Sequence, residues 1–145
     1  MNEESSTAVP KSFYWIAGGA IVWNLFGMLA YIGQVSMSPE AIAQLPLDQQ
    51  QIYETIPVWA TSAYAIAVTM GVLGRVLLIL RKAWALPVFI VSLLGVIVQF
   101  SHAVFMTDLI AVTGIASIGF SVVIIVIAIL LIWYSFYARK NGWIS

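Results

Sequence analysis

The sequence predicts an all-α membrane protein: an antiparallel bundle of four transmembrane helices with both termini cytoplasmic and a short helical outer loop between helices 1 and 2. Three observations predict it. Of 145 residues, 62% are hydrophobic and only 8% charged, with a mean hydropathy of +1.00. A soluble domain carries about 25% charged residues, and so few charges cannot cover a globular surface in water. Four apolar runs, at 13–35, 58–80, 84–106 and 110–137, each supply the ~20 residues that a helix needs to cross hydrocarbon. Finally, the basic residues gather on alternate links between those runs. The length fits one domain, 1–145.

The polar tail, 1–10, carries two glutamates where a secretory signal would be positive. The run after it is longer than the ~7–15 residues of a signal h-region, so 13–35 reads as a mature span. The outer loop, 36–56, opens with Ser38 as a helix N-cap and Pro39 at the first helical position. A second short helix is expected at "LDQQQIYETIP", with Ile52, Tyr53 and Ile56 as its apolar face. Pro57 opens the second span, where its missing N–H costs nothing, and Pro87 lies in the first turn of the third. Thr107 and Asp108 can cap the fourth span, or Gly114 can mark a later start. Aromatic residues cluster near span ends: Phe13, Tyr14, Trp15, Trp59, Trp84, Trp133, Tyr134 and Tyr137.

Lys11 precedes the first span, Arg81 and Lys82 join the second to the third, and Arg139 and Lys140 follow the fourth. The 36–56 loop has no Lys or Arg and holds Glu40, Asp48 and Glu54; the last link has only Asp108. The positive-inside rule then puts both termini in the cytoplasm.

Successive helical residues turn by about 100°. On the first span, Ala17, Ala20, Asn24, Gly27, Tyr31 and Gln34 therefore share one face. Ser92, Gly95, Gln99, His102 and Met106 share one on the third. Gly114, Ser117, Ser121, Ala128 and Ser135 share one on the fourth. The second span offers two faces: Ser62, Ala65 and Thr69, or Ala60, Ala63, Ala67, Gly71 and Gly74. Small residues let helix backbones approach, so Gly27, Ala67, Gly71, Gly74, Gly95, Ser117 and Ser121 are expected at helix contacts. Val122, Val123, Val126, Ile127 and Leu130 are aliphatic and suit lipid.

Asn24, Gln99 and His102 are expected to converge in the outer half of the bundle, with Tyr31 and Gln34 near its mouth. Each amide can serve as an interhelical hydrogen bond or as a solute contact. His102 is the only histidine, so neither a multi-ligand metal site nor bis-histidine haem fits the chain. A proton-coupled role would pair it with Asp108 or Glu54. Arg75 stands six residues before Arg81, roughly 9 Å deeper along a helix. Snorkelling to the inner interface is one reading of it, and an inner anion or lipid contact the other. There is no cysteine, no nucleophile set, no phosphate-binding glycine loop and no paired intramembrane carboxylate, so no enzyme, metal or cofactor is predicted. Zero net charge gives no reason to expect nucleic acid.

"WNLFGMLAYIGQ", "IPVWATSAYAIAVTMGVLG" and "AWALPVFIVSLLGVIVQF" carry a resemblance. The chain resembles a family of small four-span bacterial inner-membrane proteins of about 150 residues, many automatically labelled "sugar transporter". The resemblance runs from Trp15 to the closing "WYSFYARKNGW" and includes Trp23, Asn24, Gly27, Tyr31, Gln34, Pro57, Trp59, Gly71, Gly74, Trp84, Ala85 and Ser92. It implies a bacterial inner membrane. The amides and aromatics suit a small neutral polar solute such as a sugar, so a transporter or channel component acting as an oligomer is expected. The alternative is a structural or regulatory subunit of a larger membrane complex.

Overall fold

The computed structural model describes residues 8–145; residues 1–7 of the polar tail lie outside them. The described chain is all-helical: α1 Lys11–Val35, α2 Pro39–Ile42, α3 Leu47–Thr55, α4 Val58–Ile79, α5 Ala85–Phe105, α6 Leu109–Thr113 and α7 Ala116–Lys140. Four of these, α1, α4, α5 and α7, are long and apolar enough to cross a membrane, as in a multi-pass membrane protein. Their outward residues fit lipid rather than water: Val122, Val123, Val126 and Leu130 of α7 are all exposed.

Local signals explain the helix ends. Ser38 caps α2 by accepting a hydrogen bond from the Ala41 N–H at 3.2 Å, with Pro39 behind it. In that first turn, a hydrogen bond from its own backbone N–H and one from Ser38 hold the exposed Glu40 carboxyl below its ordinary pKa. Gln50 ties the two loop helices together by donating to the carbonyls of Leu45 and Ala43. The fourth apolar run differs from the expected 110–137. Gly114, at φ +78°, breaks it into α6 and α7. The long helix starts two residues later, at Ala116, and reaches Lys140. Gly114 is exposed in the break rather than packed on a helix face.

At the end bearing the basic residues, α4 and α7 stop in the same way. Lys82 N–H bonds the Leu77 carbonyl and Arg81 N–H the Leu78 carbonyl; Trp143 N–H bonds Ala138 and Gly142 N–H bonds Arg139. These are Schellman turns, which need one left-handed residue. Gly142 supplies it at φ 70°, while Arg81 adopts it at φ 59° despite its side chain. The Arg81 Nε donates to the Trp143 carbonyl at 2.8 Å, and Ser145 pairs with the backbone of Arg81 and Ala83. The closing residues thus cover a core of Phe13, Ala17, Leu78, Ala85, Phe89, Leu131, Ala138 and Ile144.

Contacts between the long helices run α1 on α4, α4 on α5 and α5 on α7. The α4 face that packs is the small one: Ala60, Ala63, Ala67, Gly71 and Gly74 are buried, while Ser62 and Thr69 are exposed. α4 and α5 meet backbone to backbone. A Cβ added at Gly95 would lie 2.8 Å from the Ala63 carbonyl oxygen and 2.9 Å from the Ala67 nitrogen. The Ser92 hydroxyl donates to the Ala67 carbonyl at 2.6 Å one turn away. At Gly74 a Cβ would lie 2.7 Å from the Phe89 ring. Gly27 is different, because its nearest neighbour would be Val68 at an ordinary 3.9 Å. On α7, Ser121 is buried and donates to the Ser117 carbonyl at 2.9 Å.

Candidate functional site

On α4, Tyr64, Val68, Gly71 and Arg75 follow one another at spacings of four, three and four, which aligns them on the face toward α1. Opposite them α1 presents Asn24 and Gly27. The Asn24 side chain makes two contacts with α4. Its Nδ2 donates to the Val68 carbonyl at 3.2 Å, and its Oδ1 accepts from Arg75 Nη1 at 2.9 Å. The same Nη1 donates to the Gly71 carbonyl at 2.7 Å. Gly71 makes the room: a Cβ there would sit 2.5 Å from Asn24 Oδ1 and 2.9 Å from Arg75 Nη1.

Arg75 is therefore folded inward and only 5% exposed. Its guanidinium carbon lies 5.7 Å from the centre of the Phe89 ring, within reach of a cation–π attraction. Its Nε is buried with no hydrogen-bond partner among the described residues. The acids among the described residues, Glu40, Asp48, Glu54 and Asp108, all lie off the long helices. The nearest in sequence, Glu54, precedes the start of α4, and Arg75 is roughly 26 Å along that helix from Val58. The snorkelling expected of Arg75 does not occur, because Asn24 and Gly71 give it acceptors inside the protein.

Beside this arginine lies a cavity of about 390 Å³, lined by all four long helices. Asn24, Tyr64, Arg75, Ser92 and Gln99 supply its polar groups, with the indole N–H of Trp23; Phe26, Phe100, Phe120, Ile124 and Ile127 are prominent in its apolar wall. The most exposed of these are Phe26 on α1 and Phe120 on α7, at 67% and 60%, so the cavity opens on that side. There the two helices meet through rings: Trp23 on Phe120 at 6.2 Å, and Phe13 on Tyr134 at 6.1 Å toward the basic end.

Compared with family models, curated proteins and solved structures, the chain matches none.

Of the five solute-contact residues expected from the sequence, the cavity brings together two, Asn24 and Gln99, which reach it from α1 and α5. Asn24 spends its hydrogen bonds on α4. Tyr31 packs its ring edge-on against Tyr64, at 5.2 Å and 73°, outside the lining; the Tyr64 hydroxyl donates to the Gly27 carbonyl at 3.4 Å. Gln34, in the last turn of α1, is also outside it. His102 is buried but turned away. It stands three residues beyond Gln99, hence about 60° around the helix, and meets Trp59 of α4 edge to face at 5.2 Å. Asp108 and Glu54 do not ligate or pair with it; among the described residues no three His, Asp or Glu side chains gather. Ile127, expected to face lipid, lines the cavity instead. Arg75 is the polar cavity residue that the sequence alone placed at the interface. The signal for it was its four-residue spacing from Gly71, which continues the α1-facing line of α4.

Proposed function

We propose that this chain is a multi-pass membrane protein that binds a small polar solute in the cavity among its four spans, as the transporter or channel component of an oligomer. The cavity carries the reading. At about 390 Å³ it falls within the range of small-molecule sites, and its mostly apolar wall with a few convergent polar groups is their usual chemistry. The test is uptake of labelled glucose, sorbitol and lactate into liposomes containing the purified protein. Protein-dependent uptake of at least one is expected, and Ile127→Trp, which fills the cavity, should abolish it. Rates equal to those of empty liposomes for every solute would end the transport reading.

In this proposal the spans run antiparallel in a bacterial inner membrane, with both termini cytoplasmic. Pairings in opposite chain order support the antiparallel part: Asn24 with Arg75 and Tyr31 with Tyr64, then Ser92 with Ala67 and His102 with Trp59. The basic ends at Arg81, Lys82, Arg139 and Lys140 support the orientation. The chain has no native cysteine, so introduced ones report cleanly. Cysteines at Gln50 and Asp108 should react with an impermeant reagent in intact cells, and one at Lys82 should not. Labelling of Lys82 alone would reverse the orientation.

One observation favours the oligomer and keeps a structural subunit as the second reading. Gly18, Gly19 and Gly33 of α1 would have nothing within 4 Å of an added Cβ, which leaves backbone open to a close-packed neighbour. Purification in mild detergent separates the two. Copies of this chain alone support the oligomer; a stoichiometric different subunit supports the second reading.

A further inference from the structure

We propose that the cavity binds an organic monocarboxylate with a compact apolar body, held through its carboxylate by Arg75. The inference rests on the solute-binding reading and names the solute's class. A buried arginine keeps its charge, and a charge buried without an opposite charge is costly. Asn24 Oδ1, the Gly71 carbonyl and the Phe89 ring offset part of that cost, but all three are neutral. A guanidinium has five N–H donors. The two hydrogen bonds of Arg75 both come from Nη1, while Nε is buried with no partner. The donor capacity left over is on the Nε–Nη2 side, and paired guanidinium donors match the two oxygens of a carboxylate. Arg75 itself lines the cavity, so an anion there can reach it.

The wall decides the rest of the ligand. Phe26, Phe100, Phe120 and Ile124 offer no hydrogen bonds, Trp23 has a single indole N–H, and the hydroxyls of Ser92 and Tyr64 already donate to Ala67 and Gly27. Asn24 and Gln99 are the remaining amides. A sugar would bury several hydroxyls against these apolar side chains and leave Arg75 without a counter-charge. A monoester phosphate would bring about two charges to a single cation. One carboxylate on an apolar body balances the arginine and fits the wall.

The test uses the full chain in non-ionic detergent and isothermal titration with benzoate, its neutral isostere benzamide, and inorganic phosphate. Benzoate should bind at least tenfold more tightly than benzamide or phosphate. Ile127→Trp should weaken benzoate at least tenfold with Arg75 intact. Arg75→Met should remove the preference for benzoate over benzamide while the protein remains folded; if that variant does not fold, the wild-type preference and Ile127→Trp still decide. Equal binding of benzoate and benzamide, or benzoate binding unaffected by Ile127→Trp, overturns the proposal. Nanodiscs add one arm. If phosphatidylglycerol, but not phosphatidylcholine, eliminates benzoate binding, a lipid phosphodiester occupies the site and the free carboxylate is overturned. Benzoate binding without solute uptake in liposomes removes only transport; glucose uptake without benzoate binding removes only this inference.

Discussion

Replacing Gly95 by leucine is expected to leave little folded protein. The added Cβ alone would press within 2.8 Å of the Ala63 carbonyl oxygen and 2.9 Å of the Ala67 nitrogen. Both are backbone atoms inside a hydrogen-bonded helix, so neither can swing aside as a side-chain tip can. α4 and α5 would have to separate, which would also break the Ser92 bond to Ala67. Overpacking a close interface costs ~1–3 kcal/mol or more, and this substitution should fall at or above the upper end. Two controls isolate the mechanism. Gly27→Ala meets Val68 at an ordinary 3.9 Å and should be tolerated. Val122→Leu changes an exposed aliphatic residue and should be neutral. Thermal stability in detergent and monodispersity after solubilisation measure all three. A Gly95→Leu protein as stable as the controls would show that the two helices do not touch there.

The second large effect is expected at Asn24. Asn24→Leu removes the oxygen that accepts from Arg75 and the donor that serves the Val68 carbonyl. It leaves a buried charge with one fewer acceptor. Removing one partner of a buried hydrogen bond costs ~1–3 kcal/mol, and more where the group left behind is charged, as Arg75 is. Changing the partner as well should recover much of that loss, because an apolar pair of similar shape carries no unsatisfied charge. Asn24→Leu with Arg75→Met is therefore expected to be more stable than Asn24→Leu alone. The thermodynamic cycle should show coupling of about 0.5–3 kcal/mol. Additive effects in detergent unfolding would mean that the two side chains do not depend on one another.

The packing face of α4 was legible in the sequence because small residues recur at 60, 63, 67, 71 and 74, and a close approach needs them there. Ser92 and Gly95 were legible on α5 for the same reason. The first loop helix followed from Ser38 and Pro39, and the second from the apolar spacing in "LDQQQIYETIP". Three features were not legible, each for a physical cause. Arg75 sits four residues from the end of α4, where a long side chain can turn to the interface or inward with equal ease; Asn24 across from it decides, and that register is tertiary. Gln99 and His102 differ by about 60°, finer than the ~100° stripe used to group them, so one faces the cavity and the other Trp59. Gly114 stood as one of two possible starts of the fourth span, but the short helix before it, Leu109–Thr113, hides in an unbroken apolar run.

The unequal seams give the molecule a stiff back and a compliant front. α4 and α5 are locked by main-chain proximity at Gly95 and by the Ser92 hydroxyl, contacts with no slack. At the cavity mouth α1 and α7 touch through the tilted rings of Trp23 and Phe120, which can slide past one another without breaking a hydrogen bond. Mechanical strain on the protein therefore concentrates at the front. A solute of the class proposed above would then enter by parting the Trp23 and Phe120 rings, while the α4–α5 spine stays still.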